Sequence, residues 1–223
     1  MIYLETLLAL CQADSRVLDI GCGPAMPTLS RLPGRLRVGL DVLPELPGGP
    51  LHAVRGSGEA LPFADATFDV VCCRSVLEHV EAPERLFAEA GRCLRAGGVF
   101  VFVTANRWDY VSLCARAVPN RWHQGLVSLA GGNPDKVFPT YYRANDVTAI
   151  RAAMAAAGLT CTRLDRLRQH PHYLRFSTGA YVVGAGLERV QRLLPWFRPW
   201  LLGVATRDGS SSPLARRRPM MPD

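Results

Sequence analysis

The stretch VLDIGCGPA, residues 17–25, decides the fold of this chain. An apolar run broken only by Asp19 is typical of a buried parallel strand, and Gly21 and Gly23 let the backbone turn tightly where the strand ends. Pro24 suits the first position of a following helix. The segment therefore predicts a strand, turn and helix of an α/β domain, with bare N–H groups at the turn that can hold a nucleotide-like ligand.

Asp19 separates two classes of cofactor. A loop that binds pyrophosphate uses amides and a helix N-terminus, and it gains nothing from a carboxylate two residues earlier. The pattern G-x-G-x-x-G also lacks its third glycine, because Met26 stands there. S-adenosylmethionine (SAM) fits better, since its ammonium and sulfonium are cations and its carboxylate can bind the amides. The residues favour SAM, with a nicotinamide dinucleotide as the alternative.

Asp19-x-Gly21-x-Gly23-x-Ala25 resembles motif I of the class I SAM-dependent methyltransferases, with alanine at the usual third glycine. Residues 36–42, LRVGLDV, predict a second strand that ends in Asp41, about 20 residues after the first glycine, where an acid accepts both ribose hydroxyls. Residues 56–80, GSGEALPFADATFDVVCCRSVLEHV, resemble the family's adenine loop, fourth strand and following loop. The resemblance implies an α/β, Rossmann-like sheet of seven mostly parallel strands, with helices on both faces and an antiparallel seventh strand.

The resemblance also implies which residues contact the cofactor. They are Asp19, Gly21, Cys22, Gly23, Asp41, Ser57, Gly58, Glu59 and Arg74. Ser57 stands where the family has an acid that accepts from the adenine amino group, and a hydroxyl is a weaker acceptor, so we expect reduced affinity. His79 is the candidate catalytic base for a hydroxyl acceptor, with a loop-stabilising role as its alternative. Glu78 either orients His79 or helps to hold a divalent ion, although no metal site is predicted.

The later segments follow the family order within a single domain, residues 1–207. The predicted elements are a helix over 82–98 stopped by Gly97 and Gly98, a strand over 99–105, a helix from Asn145 or Asp146 to Gly158, and strands over 159–167 and 200–207, the last antiparallel.

Two insertions, residues 106–143 and 168–199, interrupt this pattern and are where we expect acceptor recognition. The first predicts two short helices separated at Pro119, and both insertions combine tryptophan and leucine with arginine. Three interpretations stay open: a lid over an apolar acceptor pocket, ordinary packing onto the sheet, or contact with a lipid interface.

Composition and charge limit the partners and the cellular compartment that we expect for the protein. The net charge of +7 comes from 25 arginines and one lysine spread along the chain, so a nucleic-acid partner is not predicted. Residues 208–223 are expected to form a disordered basic tail. Seven cysteines without a C-x-x-C pair indicate free thiols in a reducing compartment. With no basic leader and no apolar run of about 18 residues, we expect a cytoplasmic protein.

The function predicted from these features is methyl transfer from SAM to a small, largely apolar acceptor molecule. Methylation of oxygen and of carbon are both open, and the oligomeric state is not indicated. The rival interpretations are an NAD(P)-dependent oxidoreductase and a SAM-binding protein without turnover.

Overall fold

Short apolar runs form the strands of one seven-stranded sheet, in the order β3-β2-β1-β4-β5-β7-β6. The computed structural model describes residues 2–44, 51–119, 138–168 and 194–209, with a few further positions between 121 and 125 and between 186 and 193. The strands are β1 Arg16–Ile20, β2 Leu36–Asp41, β3 His52–Arg55, β4 Phe68–Arg74, β5 Leu94–Ala105, β6 Leu159–Leu167 and β7 Trp200–Arg207. The order and the antiparallel β7 confirm the predicted fold.

Helices cover both faces of the sheet because its central strands are apolar on both sides. The helices are α1 Ile2–Leu10, α2 Pro83–Cys93, α3 Tyr110–Ala117 and α4 Val147–Ala156, and single 3-10 turns occur at Leu29–Arg31, Leu77–His79 and Pro195–Phe197. On one face, α2 and α4 bury Phe87 and Ile150 in a core with Phe100 and Phe102. On the other face, Leu7 of α1 packs with the opposite side of the sheet.

The carboxyl ends of β1, β2, β4 and β5 lie at one edge because these strands are parallel. Antiparallel β7 begins at the same edge, where Trp200 pairs with Ala105 of β5 and with Leu167 of β6. The first insertion leaves the end of β5, and the second joins the end of β6 to the start of β7. The fold therefore brings the cofactor motifs and the bases of both insertions to one edge.

Two predicted helix boundaries are wrong. No helix begins at Pro24: Met26 has a φ of 42°, and only the 3-10 turn Leu29–Arg31 follows. Pro27 lacks the N–H that a helix needs at that position, so the backbone turns instead. The helix over 82–98 ends at Cys93 rather than at the glycines, because Leu94 is extended and pairs with Phe68 of β4.

The insertions and the tail are described in part. Helix α3 ends two residues before Pro119, as predicted, whereas most of the second predicted helix lies outside the described residues. Of the predicted basic tail, only residues 208 and 209 are described. In the part of the chain that the structure describes, no helix is both long enough and apolar enough to cross a membrane.

Candidate cofactor site and adjoining loop

The glycine turn after β1 is closed on one side and open on the other. Gly21 and Gly23 both have left-handed φ values, 73° and 64°. A Cβ on Gly21 would lie 2.3 Å from Cγ2 of Val76, whereas a Cβ on Gly23 would meet nothing within 4 Å. Gly21 therefore allows the loop after β4 to approach the turn, and Gly23 leaves space in which a ligand can reach the backbone.

Asp41, at the end of β2, is joined to this turn. Its Oδ2 accepts from the N–H of Gly23 at 2.8 Å, and its Oδ1 accepts from the N–H of Leu43 at 3.1 Å. Each carboxylate oxygen has a second lone pair, so ribose hydroxyls can still donate to Asp41. The position and chemistry of this residue fit its predicted role toward SAM.

Asp19 is buried, with 2% of its surface exposed. The Cys72 thiol on β4 donates to its Oδ1 at 3.5 Å, and among the described residues Asp19 forms no ion pair. Burial raises the pKa of Asp19 to about 7; the negative charge of Asp41 also raises it, while the Cys72 hydrogen bond and the charge of Arg74 lower it. A bound cation would stabilise the ionised form that burial disfavours. Direct contact between Asp19 and SAM stays a prediction.

Cys22 and Arg74 occupy contrasting positions beside the turn. Cys22 is 3% exposed, and its Sγ points toward Gly39, where a Cβ would lie only 2.7 Å away. The Cys22 side chain is thus not free to face a cofactor. The prediction of bare N–H groups is wrong for residues 21–23, because Gly21 and Cys22 donate to the carbonyl oxygen of Leu40 at 2.7 and 3.2 Å and Gly23 donates to Asp41. Arg74 is exposed at the end of β4, on the edge where the turn lies.

The predicted adenine loop holds itself together by contacts that the sequence pattern did not indicate. The Ser57 hydroxyl accepts from the N–H of Glu59 at 3.2 Å. Glu59 in turn accepts, through Oε1, from the N–H of Ala82 at 2.7 Å, just before α2. A Cβ on Gly58 would lie 2.9 Å from Cγ2 of Ile20, so this glycine permits close packing of the loop on β1. The cofactor contacts of these three residues stay predictions.

Glu78, in the loop after β4, belongs to a buried polar chain. The Thr104 hydroxyl donates to its Oε2 at 2.7 Å, and Nδ2 of Asn145 donates to that hydroxyl at 2.6 Å. Burial raises the pKa of Glu78. The main chain of Glu78 also accepts from the N–H of Tyr141 at 2.8 Å. Its carboxyl is engaged inside the protein, and the described residues contain no group of acids, histidines and cysteines suited to a metal ion.

His79 is half-buried next to residues that close the first insertion. Its Nδ1 lies 2.8 Å from the carbonyl oxygen of Pro139, and its ring centroid lies 5.8 Å from that of Phe138. A carbonyl only accepts, so in the neutral ring Nδ1 carries the proton and Nε2 keeps its lone pair. The contact leaves Nε2 able to accept a proton, and it also joins the loop after β4 to the end of the first insertion. The geometry is therefore compatible with both predicted roles.

The two insertions meet at the same edge through buried polar groups. Asn106 donates from Nδ2 to the carbonyl oxygens of Trp196 and Arg198, at 2.8 and 2.7 Å. Gln191 donates to the buried carboxylate of Asp109 at 3.2 Å. Beside them lies a mainly apolar cavity of about 650 Å³, lined in part by Trp108, Trp196 and the first turn of α4. Neither Asn106 nor Gln191 stood out in the sequence, because their partners are 82 to 92 residues away.

Comparisons with known proteins agree with this geometry. Residues 18–102 match the family model described as a methyltransferase domain. A malonyl-[acyl-carrier protein] O-methyltransferase of Geobacter sulfurreducens is 27% identical over 203 residues, which cover 82% of this chain and 72% of that protein. A ubiquinone biosynthesis O-methyltransferase of Mesorhizobium japonicum is 35% identical over 104 residues, 41% of this chain and 41% of that protein. Other relatives are matched over only 36% to 54% of their own length.

Solved structures show the same fold. A SAM-dependent methyltransferase from Mesorhizobium loti superposes with a TM-score of 0.62 at 19% identity, over 92% of this chain and 95% of that one. The family match and the names of these relatives favour the methyltransferase interpretation over the nicotinamide-dependent one, and the solved structures agree with it in fold. Residues 18–102 match a methyltransferase domain, and the comparisons support a class I SAM-dependent methyltransferase with SAM as its cofactor.

Proposed function

We propose that this enzyme methylates a hydroxyl group on a small, largely apolar molecule, with His79 as the general base. The observation that carries the proposal is the Nδ1 contact of His79 with the Pro139 carbonyl, which leaves Nε2 to accept a proton. The loop of His79 adjoins the cofactor turn, since Val76 fills the space beside Gly21. A base in this loop would therefore lie beside the cofactor turn.

Holding the cofactor falls to residues at the sheet edge. Asp41 would accept the ribose hydroxyls, and the open space beside Gly23 would admit the methionyl end of SAM. When bound, SAM supplies an activated methyl group on its sulfonium, so alignment of the acceptor accounts for much of the rate. Asp19 would favour the positive charge of the cofactor from its buried position behind the turn.

Proton removal is the step that the protein itself contributes. Nε2 of His79 would accept the proton that the acceptor hydroxyl loses, and the Pro139 carbonyl would stabilise the resulting imidazolium through Nδ1–H. A positioned base of this kind typically contributes a factor of about 10² to 10⁴. The solvent then takes the proton from the half-buried ring.

The apolar character of the acceptor is inferred from the insertions. The cavity beside Trp108 and Trp196 has a lining that suits an apolar molecule, and its volume of about 650 Å³ is in the range of small-molecule sites. The names of the Geobacter and Mesorhizobium relatives both specify O-methylation, which supports oxygen as the acceptor atom. We place the enzyme in the cytoplasm, which agrees with the six free thiols among its described cysteines.

The test is methyl transfer from labelled SAM to a panel of apolar phenols and alcohols, with mass spectrometry of the products. For an accepted substrate, His79→Gln should lower kcat by about 10² to 10⁴ with an unchanged Kd for SAM. His52→Gln, on exposed β3, is the matched control. Full activity of His79→Gln, methylation on carbon, or tight SAM binding without any turnover across the panel would reject the proposal.

A further inference from the structure

We propose that the sheet edge carrying the two insertions docks on the surface of an anionic lipid bilayer. The exposure and charge of residues in the two insertions support the docking. Only its use, which is access to an apolar acceptor dissolved in the lipid, rests on the proposed function.

Exposed apolar side chains are concentrated at this edge. Among the described residues, twelve large hydrophobic side chains are exposed, and nine of them belong to the insertions. Six of these define what we term the apolar face: Trp108, Leu113, Val190, Leu193, Leu194 and Trp196. Leu193 is 81% exposed, so packing onto the sheet does not account for this side chain. Contiguous exposed apolar surface on a protein marks a site of interaction.

Hydrogen bonds hold the two halves of the apolar face together. The Gln191 amide on the second insertion reaches Asp109, directly before α3, which carries Leu113. Trp108 and Trp196 line the same cavity. The apolar face is therefore one surface built from both insertions.

The two insertions that form the apolar face carry an excess of positive charge. The two insertions contain ten basic and three acidic residues, an excess equal to the net charge of the whole chain, whereas the remaining residues contain sixteen of each sign. Within the described positions of the insertions the only acidic residue is Asp109, and it is buried. Exposed arginines at 116, 121 and 189 have no described acidic neighbour within the insertions. The charge thus favours an anionic partner at this edge.

A bilayer is the partner that satisfies both features. Tryptophan rings settle at the boundary between headgroups and acyl chains, and arginine keeps its guanidinium among the headgroups while its stem lies on apolar surface. Leucines as exposed as Leu193 can enter the acyl region, where no polar partner is needed. A nucleic acid would use the arginines but would leave these leucines in water.

Co-sedimentation with vesicles tests the proposal, using the full chain without SAM or acceptor. We expect binding to vesicles of equal phosphatidylglycerol and phosphatidylcholine, at least tenfold weaker binding to phosphatidylcholine alone, and a blue shift of tryptophan emission. The double variant Leu193→Glu/Leu194→Glu should reduce partitioning at least tenfold. Ile2→Glu/Leu8→Glu is the matched control, because both side chains are 44% exposed on α1 and belong to neither insertion.

The charge is tested separately. Arg121→Gln/Arg189→Gln should weaken binding to the anionic vesicles by about fivefold for each arginine, since a basic residue near such a surface contributes about 1 kcal/mol. Arg151→Gln, exposed on α4, should bind like the wild type. No binding to anionic vesicles, equal loss in the α1 control, or competition by a soluble acidic carrier protein that binds the same face more tightly would overturn the proposal. Unchanged SAM binding in every variant separates this outcome from failure of the proposed function.

Discussion

Replacing Asp19 with asparagine should stabilise the cofactor-free protein above neutral pH and weaken its binding of SAM. The wild-type carboxyl is 2% exposed, accepts a thiol hydrogen bond from Cys72 and has no described ion-pair partner. An ionised group in such a position is costly to the folded state. Asparagine has nearly the same shape and carries no charge at any pH, so it removes this cost.

The magnitude follows from the pKa of the folded protein. Burial raises the pKa of Asp19 from 3.8 to about 7, so between these values the folded protein holds a proton that the unfolded chain has released. The free energy of unfolding therefore falls as the pH rises through this window. The total fall has an upper limit of about 4 kcal/mol, because each pH unit corresponds to 1.36 kcal/mol for one proton. Well above pH 7 the wild type has lost all of this stability, whereas Asp19→Asn shows no such fall because asparagine does not titrate.

Chemical denaturation of both proteins at pH 5, 6, 7 and 8 measures this effect. Other buried acids contribute to both curves, including Asp109, whose pKa burial raises to about 6, and the difference between the curves isolates Asp19. We expect the free energy of unfolding of the variant to rise relative to that of the wild type with each step in pH. Calorimetry at pH 7 should show that the variant binds SAM more weakly. Parallel curves, or a variant less stable than the wild type at pH 8, would refute the electrostatic argument.

Two further predictions concern the cofactor turn. Asp41→Ala should raise the Kd for SAM at least about a hundredfold by calorimetry, since two hydrogen bonds to a charged group are each worth roughly 1.5 to 3 kcal/mol, and an unchanged Kd would remove Asp41 from the site. Gly21→Ala should lower stability by at least about 1 kcal/mol more than Gly23→Ala, because only the first forces a Cβ against Val76, and Val76→Ala should remove that difference. Gly23→Ala should instead mainly weaken SAM binding, and the opposite ranking would contradict the open space beside Gly23.

Strands were predicted more accurately than the turns between them. The last two strands begin and end where expected, at 159–167 and 200–207. The second is a buried apolar run, whereas the first is mixed and half-exposed, and the family order placed it. The missing helix after Gly23 depends on the left-handed backbone of Met26 and on Pro27, a local conflict that the family pattern conceals. The end of α2 was also predicted too late. Leu94 pairs with Phe68 of β4, and this tertiary contact ends the helix before the glycines.

The hydrogen-bond partners of side chains in the site could not be predicted from the sequence, for a physical reason. The motif indicated that Glu59 and Glu78 lie near the cofactor, but Glu59 is engaged with Ala82 and Glu78 with Thr104, 23 and 26 residues further along the chain. Such contacts depend on how loops settle against distant strands, and no spacing rule encodes them. The composition of the insertions left three interpretations open, and the exposure of Leu193 and Trp196 is the observation on which the lipid proposal depends.

Burial of Asp19 links folding to cofactor binding. The cofactor-free protein holds an acid whose charge is poorly compensated, and we propose that bound SAM supplies the cation that compensates it. Ligand binding to the folded state alone raises stability according to its affinity. Saturating SAM should therefore raise the free energy of unfolding at pH 8 by more in the wild type than in Asp19→Asn. Because that difference measures the coupling between carboxylate and cofactor, equal increases in the two proteins would show that Asp19 acts on the fold alone.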